Sequence, residues 1–140
     1  MDVALLRQDL IRDEGLRLKP YRCPAGRLTI GVGRNLDDRG ITEAEAMVLL
    51  ENDIAIVEAE LDRMLPWWRT LPNDPARALA NMAFNMGVPR LLGFHHMLDA
   101  LEHGHYATAA KEAHNSQWAR QVGDRADRVT SLMLPISYWE

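Results

Sequence analysis

One cysteine in 140 residues leaves no partner for an intrachain disulfide, and a lone thiol at Cys23 fits a reducing compartment. Long apolar runs are missing as well. The longest, such as Met47-Val48-Leu49-Leu50, reach only a few residues, so no stretch reads as a membrane-spanning helix. The opening MDVALLRQDLIRDEG has acids throughout and lacks the basic, apolar and small-residue succession of a secretory signal, so the chain is expected to be made and folded in the cytoplasm. There is no excess of positive charge. Sixteen Lys and Arg against 20 Asp and Glu give a net charge of −4, which argues against a general polyanion or nucleic-acid binder. P-loop, dinucleotide and Gly-x-Ser-x-Gly patterns are absent. The five histidines, at 95, 96, 103, 105 and 114, include no i, i+4 pair and no His-Glu-x-x-His, so neither a metal site nor a cofactor is expected. Neither internal repeat nor low-complexity run divides the chain.

What remains is the composition of an ordinary globular domain, 47% hydrophobic and 26% charged, long enough to bury a core unaided. Its charges are uneven. Arg7, Arg12, Arg17, Lys19, Arg22, Arg27, Arg34 and Arg39 crowd the N-terminal third, whereas Glu43 to Asp62 is acidic. Either a locally positive cleft or a solvated charge mixture fits that distribution.

Helical periodicity dominates. Asp2 can cap a helix over about 3–14. Residues 16–40 form a strand-and-turn segment that ends in the turn formers Asn35 to Gly40. Thr42 and Glu45 make a capping box for a long helix whose apolar stripe, Ala46, Leu49, Leu50, Ile54, Val57, Leu61, Met64 and Leu65, runs until Pro66 stops it. Asp74-Pro75 opens a helix to about Met86, closed by Gly87, and further helices are expected at about 94–102, 106–114 and from Asp124 to before Pro135. Trp67, Trp68, Trp118 and Trp139 can stack on a ligand, but aromatic residues on helices are more often core. The tail from Ile136 gives no clear signal.

The informative stretch is 11–33, IRDEGLRLKPYRCPAGRLTIGVG. Glu14 closes a pattern with Val3, Leu6, Leu10 and Ile11, and Gly15 is the residue type found just past a helix end. The negative end of the helix macrodipole disfavours an extra anion there, so a proton donor suits the position. Pro24-Ala25-Gly26 reads as a hairpin turn and residues 27–33 as a strand with two glycines, Gly31 and Gly33, that allow a bulge or the close approach of a ligand. Cys23 lies among Lys19, Arg22 and Arg27, whose charges would favour the thiolate; a small buried filler is the ordinary alternative for a lone cysteine.

The run EGLRLKPY followed by C-P-A-G-R-L-T-I-G-V-G resembles the active-site region of the bacteriophage-type lysozymes, the endolysins of glycoside hydrolase family 24. The family pattern of a Glu, eight residues, an Asp or in some members a Cys, five residues and a Thr maps onto Glu14, Cys23 and Thr29. The likeness continues through Asn81-Met82-Ala83-Phe84-Asn85-Met86-Gly87, Gly93-Phe94, Ser116-Gln117-Trp118 and Arg125-Ala126-Asp127-Arg128-Val129, covering about Leu6 to Val129. It implies an α+β, predominantly α, two-lobed lysozyme-like fold within a single catalytic domain spanning 1–140. A small β-containing lobe at about 15–41 and a helical lobe at about 67–134 would be joined by a helix at about 43–65, with helix 3–14 packed on the helical lobe.

The resemblance further implies hydrolysis of the β-1,4 bond between N-acetylmuramic acid and N-acetylglucosamine in peptidoglycan. Glu14 would be the general acid, and Cys23 with Thr29 would activate water, since the family's Asp members invert configuration; direct attack by the thiolate is the other route. Substrate contacts are expected from Gly31, from Phe84 on the cleft floor and from Arg125, which approaches the catalytic Glu in the family. Arg34 stands where many members have a histidine. The enzyme would meet the wall in the periplasm after a holin opens the membrane of the host, acting as a monomer without membrane insertion. A wall-binding module without turnover and a Cys-dependent amidase or peptidase are the alternatives.

Overall fold

The structure, a computed structural model, describes residues 1–135; Trp139 and the rest of the tail at 136–140 lie outside the described residues. The fold is α+β and predominantly α: about 67% helix with one small three-stranded antiparallel sheet. Two compact units are present, residues 1–49 and residues from Leu50 onward.

In the first unit, α1 (Val3–Glu14) begins where Asp2 accepts a hydrogen bond from the Leu5 amide at 3.0 Å and ends at Gly15, whose φ of 79° turns the chain out of the helix. Strands β1 (Arg17–Arg22), β2 (Leu28–Gly31) and β3 (Arg34–Asn35) pair in that order. Tyr21 lies opposite Thr29, and Thr29 opposite Asn35. The β1–β2 register slips between Arg17 and Tyr21, the stretch that holds Pro20, which cannot donate to a ladder. The hairpin turn is closed by the Cys23 amide on the Arg27 carbonyl at 3.0 Å and the Gly26 amide on the Cys23 carbonyl at 2.7 Å.

The expected strand over 27–33 is shorter than the alternation suggests. Gly31 and Gly33 have φ of 69° and 65°, outside the extended region, so the chain turns through Val32-Gly33 into β3. The turn formers at 35–40 build a single helical turn, α2 (Leu36–Arg39): Asn35 accepts from the Asp38 amide at 3.0 Å and Gly40 ends it. Those residue types serve a helix cap as well as a turn.

A continuous helix, α3 (Glu43–Met64), leads from residues of the first unit into the second. Its capping box is formed as expected, with the Glu45 amide donating to Thr42 Oγ1 at 3.1 Å and the Thr42 amide to Glu45 Oε1 at 2.9 Å. After Pro66 a 3₁₀ turn, Trp68–Thr70, is tied back to α3 by the Trp68 indole and Arg69, both donating to Asp62 at 2.7 Å.

Helix α4 (Asn73–Met86) starts one residue before the expected cap: Pro72 takes the cap position, and Pro75 falls in the first turn, where no amide donor is needed. Two short helices escape the sequence reading, α5 (Val88–Leu91) and α8 (Gln117–Val122), because four and six residues are too few for a period to register. Between and after them come α6 (His95–Glu102), α7 (Tyr106–His114) and α9 (Asp124–Leu132). This unit carries the core: Leu61, Leu79, Met82, Leu91, Met97, Leu101, Val129 and Met133 are sealed from solvent, each aliphatic side chain contributing roughly 1.5–3 kcal/mol. Trp68 and Trp118 are buried with them.

Candidate active site

Glu14, Cys23, Thr29 and Gly31 all fall within the first unit. Glu14 is the last residue of α1, exposed, and its side chain lies across Gly33. A Cβ at Gly33 would stand 2.9 Å from Glu14 Oε2, 3.1 Å from Cδ and 3.3 Å from Cγ. Gly31 is different: nothing lies within 4 Å of the place its Cβ would occupy. The two glycines are therefore not equivalent. Gly31 faces open space, as a site that leaves room for a ligand requires, whereas the space beside Gly33 is filled by the carboxyl of Glu14.

Cys23 is half-buried beside the hairpin turn, open enough to react. Its thiol titrates below the ordinary range. Hydrogen bonding with the Arg27 backbone is the main cause, opposed by desolvation and aided by the Ala25 backbone and the Thr29 side chain. The sequence predicts the same direction, but from the neighbouring cations. Two of those are engaged elsewhere: Arg22 with Asp37 at 3.5 Å and with the Gly26 carbonyl, Arg27 with Asp38 at 3.5 Å. Thr29 is buried in the middle strand, and its hydroxyl donates to the Arg27 carbonyl at 2.9 Å. The arrangement offers an exposed carboxyl group together with a thiolate-prone sulfur and a fixed hydroxyl on one small scaffold, residue types used for proton transfer and for orienting water.

Arg34 makes an ion pair that the sequence did not disclose. Its guanidinium meets Glu45 Oε2 at 2.8 Å and Oε1 at 2.9 Å, and also donates to the Gly40 carbonyl at 3.1 Å. Paired this way, Glu45 titrates at about 2, with the Arg34 hydrogen bonds the main cause and the Thr42 amide the next. The capping box was the only signal for Glu45, and it gives no hint of a second partner.

Phe84 and Arg125 belong to the second unit. Phe84 is 44% exposed rather than core, and it lines a groove of about 550 Å³ with Leu50, Ile54, Asn81 and Arg125. Arg125 donates through Nε and Nη2 to Asn81, at 3.1 and 2.9 Å. Asn81 was legible only as part of a motif; its partner 44 residues away was not. The Trp118 indole donates to Asn85 at 2.8 Å, so the sequence blocks around 81–87, 116–118 and 125–129 are joined by side-chain hydrogen bonds.

Among the described residues one group of metal-capable side chains comes together, Asp99, Glu102 and His103, all exposed at the C-terminal end of α6. His103 Nδ1 lies 2.8 Å from the Asp99 carbonyl, and that bond, with the Asp99 charge beside it, raises the imidazole pKa. The group's single histidine has no histidine partner at i, i+4 spacing, so the sequence pattern does not disclose it. Among the described residues no helix is long and apolar enough to cross a membrane.

Residues 12–133 match the family described as phage lysozyme. The chain is 33% identical to the pre-baseplate central spike protein of Enterobacteria phage T4 over 89% of its own length, but spans only 27% of that protein. It is 29% identical to probable T4-type lysozyme 1 of Dictyostelium discoideum, with 94% of each chain covered. It is 33% identical to the SAR-endolysin of Escherichia phage Mu, over 86% of this chain and 70% of that one.

Proposed function

The chain belongs to the phage lysozyme family, and from that premise we propose that it is a muramidase of the endolysin type. In this reading it hydrolyses the β-1,4 bond between N-acetylmuramic acid and N-acetylglucosamine in bacterial peptidoglycan. Breaking that bond needs a proton on the leaving oxygen while charge grows at the anomeric carbon. Glu14 gives the proton. Cys23, as thiolate, takes a proton from the attacking water, and Thr29 helps to orient that water. Gly31 leaves room for a sugar, and Phe84 and Arg125 contact the substrate.

The observation that carries this reading is Cys23: a half-buried thiol at a hairpin turn, shifted toward thiolate by the hydrogen bonds around it, standing where the family pattern has its second catalytic group. A cysteine that only filled a core would be sealed in apolar packing and titrate above its usual range. The names endolysin and T4-type lysozyme among the relatives support the same activity. The enzyme reaches the wall in the periplasm once a holin-type partner has opened the host membrane, works as a monomer, and requires no cofactor.

Mass spectrometry of digested peptidoglycan tests the reading directly. New saccharide reducing ends are expected. Cut stem peptides would assign a Cys-dependent amidase or peptidase, and binding without soluble products would assign a wall-binding module.

A further inference from the structure

Within residues 1–49 no side chain is paired with the carboxyl of Glu14, although that group has to meet a scissile oxygen in one orientation. An exposed glutamate on a helix end samples several rotamers. The place this one takes is open only because residue 33 has no side chain. Three successive side-chain atoms, Cγ, Cδ and Oε2, lie 3.3, 3.1 and 2.9 Å from the point where a Cβ of residue 33 would stand. The carboxyl occupies room that a side chain at residue 33 would need.

The next residue along the chain is held in turn. Arg34 directly follows Gly33, pairs in register with Ile30, and sends its guanidinium to both oxygens of Glu45 and to the Gly40 carbonyl. Glu45 also accepts from the Thr42 amide. A chain of short contacts therefore runs from the N-terminus of α3, through a partly buried ion pair, to the turn beneath Glu14. Resting on the reading of Glu14 as the acid, we propose that Gly33 and the Arg34–Glu45 pair are positioning residues that together seat the Glu14 carboxyl in its proton-donating orientation.

The glycine is needed for two separable reasons. Its φ of 65° disfavours a side chain, and any side chain would displace the carboxyl. Asparagine tolerates positive φ better than alanine while adding more bulk, so it relieves the first demand and worsens the second.

The test is steady-state hydrolysis of soluble peptidoglycan fragments, with folding of each variant followed by circular dichroism. Gly33→Ala and Gly33→Asn are both expected to lower kcat on the order of a hundredfold with KM little changed, as for a reacting group displaced by about 1 Å. Arg34→Met and Glu45→Gln should lower kcat on the order of tenfold, and Arg34→Lys should recover part of that loss, since it keeps the charge but not the forked contact. Glu14→Gln separates the two readings. If it retains turnover, the role of Glu14 is wrong. If it is inactive while folded Gly33→Asn and Arg34→Met turn over at the wild-type rate, the seat alone is overturned.

Discussion

Arg125 and Asn81 are locked by two hydrogen bonds to one oxygen, 3.1 Å from Nε and 2.9 Å from Nη2, so α9 and α4 share a guanidinium that points in one direction. A long side chain left to itself spreads over many rotamers, and the amide of Asn81 removes that freedom. Asn81→Ala is expected to cost about 1.5–3 kcal/mol of stability, the range for a hydrogen bond to a charged group. If Arg125 addresses the substrate, the same change lowers hydrolysis as well, whereas Asn81→Asp keeps the anchor and most of the rate. Thermal unfolding and turnover, measured on the same three proteins, check this. Wild-type turnover by Asn81→Ala would remove Arg125 from the substrate-binding set.

Cys23 makes the sharpest demand. If it is the base it works only ionised, so the rate should rise with pH through a thiol pKa that the surrounding hydrogen bonds lower from its ordinary value. Cys23→Asp is expected to keep activity and move that limb down toward about 4, the carboxylate range. Cys23→Ala and Cys23→Ser should lose about 10²–10⁴ in rate, the share usually carried by a positioned base. Iodoacetamide should inactivate the wild type with one adduct per chain, visible by mass spectrometry. Full activity in Cys23→Ala would end the catalytic role of this residue.

Much of this was legible from local chemistry. The Asp2 cap, the Gly15 stop, the Pro24–Gly26 turn and the Thr42–Glu45 box are set by residues within a few positions of each other, and each formed where its side chains imply. Elements of four to six residues, α2, α5 and α8, were not, because so few residues carry no period and their cap residues serve turns equally well. Contacts across sequence were hidden too. Nothing near Arg34 announces Glu45, and nothing near Arg125 announces Asn81. For Cys23 the sign of the shift was foreseeable but its source was not: charges are written in the sequence, whereas the amides that aim at a sulfur exist only once the hairpin has closed.

Trp118 offers a check on how the helical unit is held. Its ring is almost wholly buried while the indole nitrogen reaches Asn85 at 2.8 Å on α4. Trp118→Phe keeps most of the apolar contact and removes the donor, so it should cost about 1–3 kcal/mol and leave the fold intact. Trp118→Ala empties the site and should cost about 3–5 kcal/mol. Urea unfolding followed by far-UV circular dichroism distinguishes them. Equal losses would mean that the hydrogen bond, not the ring, dominates this contact.

The Arg34–Glu45 pair gives the protein a definite response to acid. Glu45 titrates at about 2 in the folded chain, against about 4.3 for an unfolded glutamate. Above the unfolded value both states are ionised and the full contribution of the pair is present. As pH falls below it, the unfolded chain takes up the proton first, and the contribution drains away until the folded value is reached. The thermal midpoint should therefore fall between about pH 5 and pH 2. Asp62, lowered by its bonds to Arg69 and Trp68, acts in the same direction, so the measurement that isolates Glu45 is a difference. Glu45→Gln is expected to melt lower than wild type at neutral pH, and the gap should narrow steadily as the pH is taken down to about 2, because protonation removes from the wild type what the substitution has already removed. A gap that stays constant across that window would mean that the Glu45 charge contributes nothing to folding, and that the contact is held by packing alone.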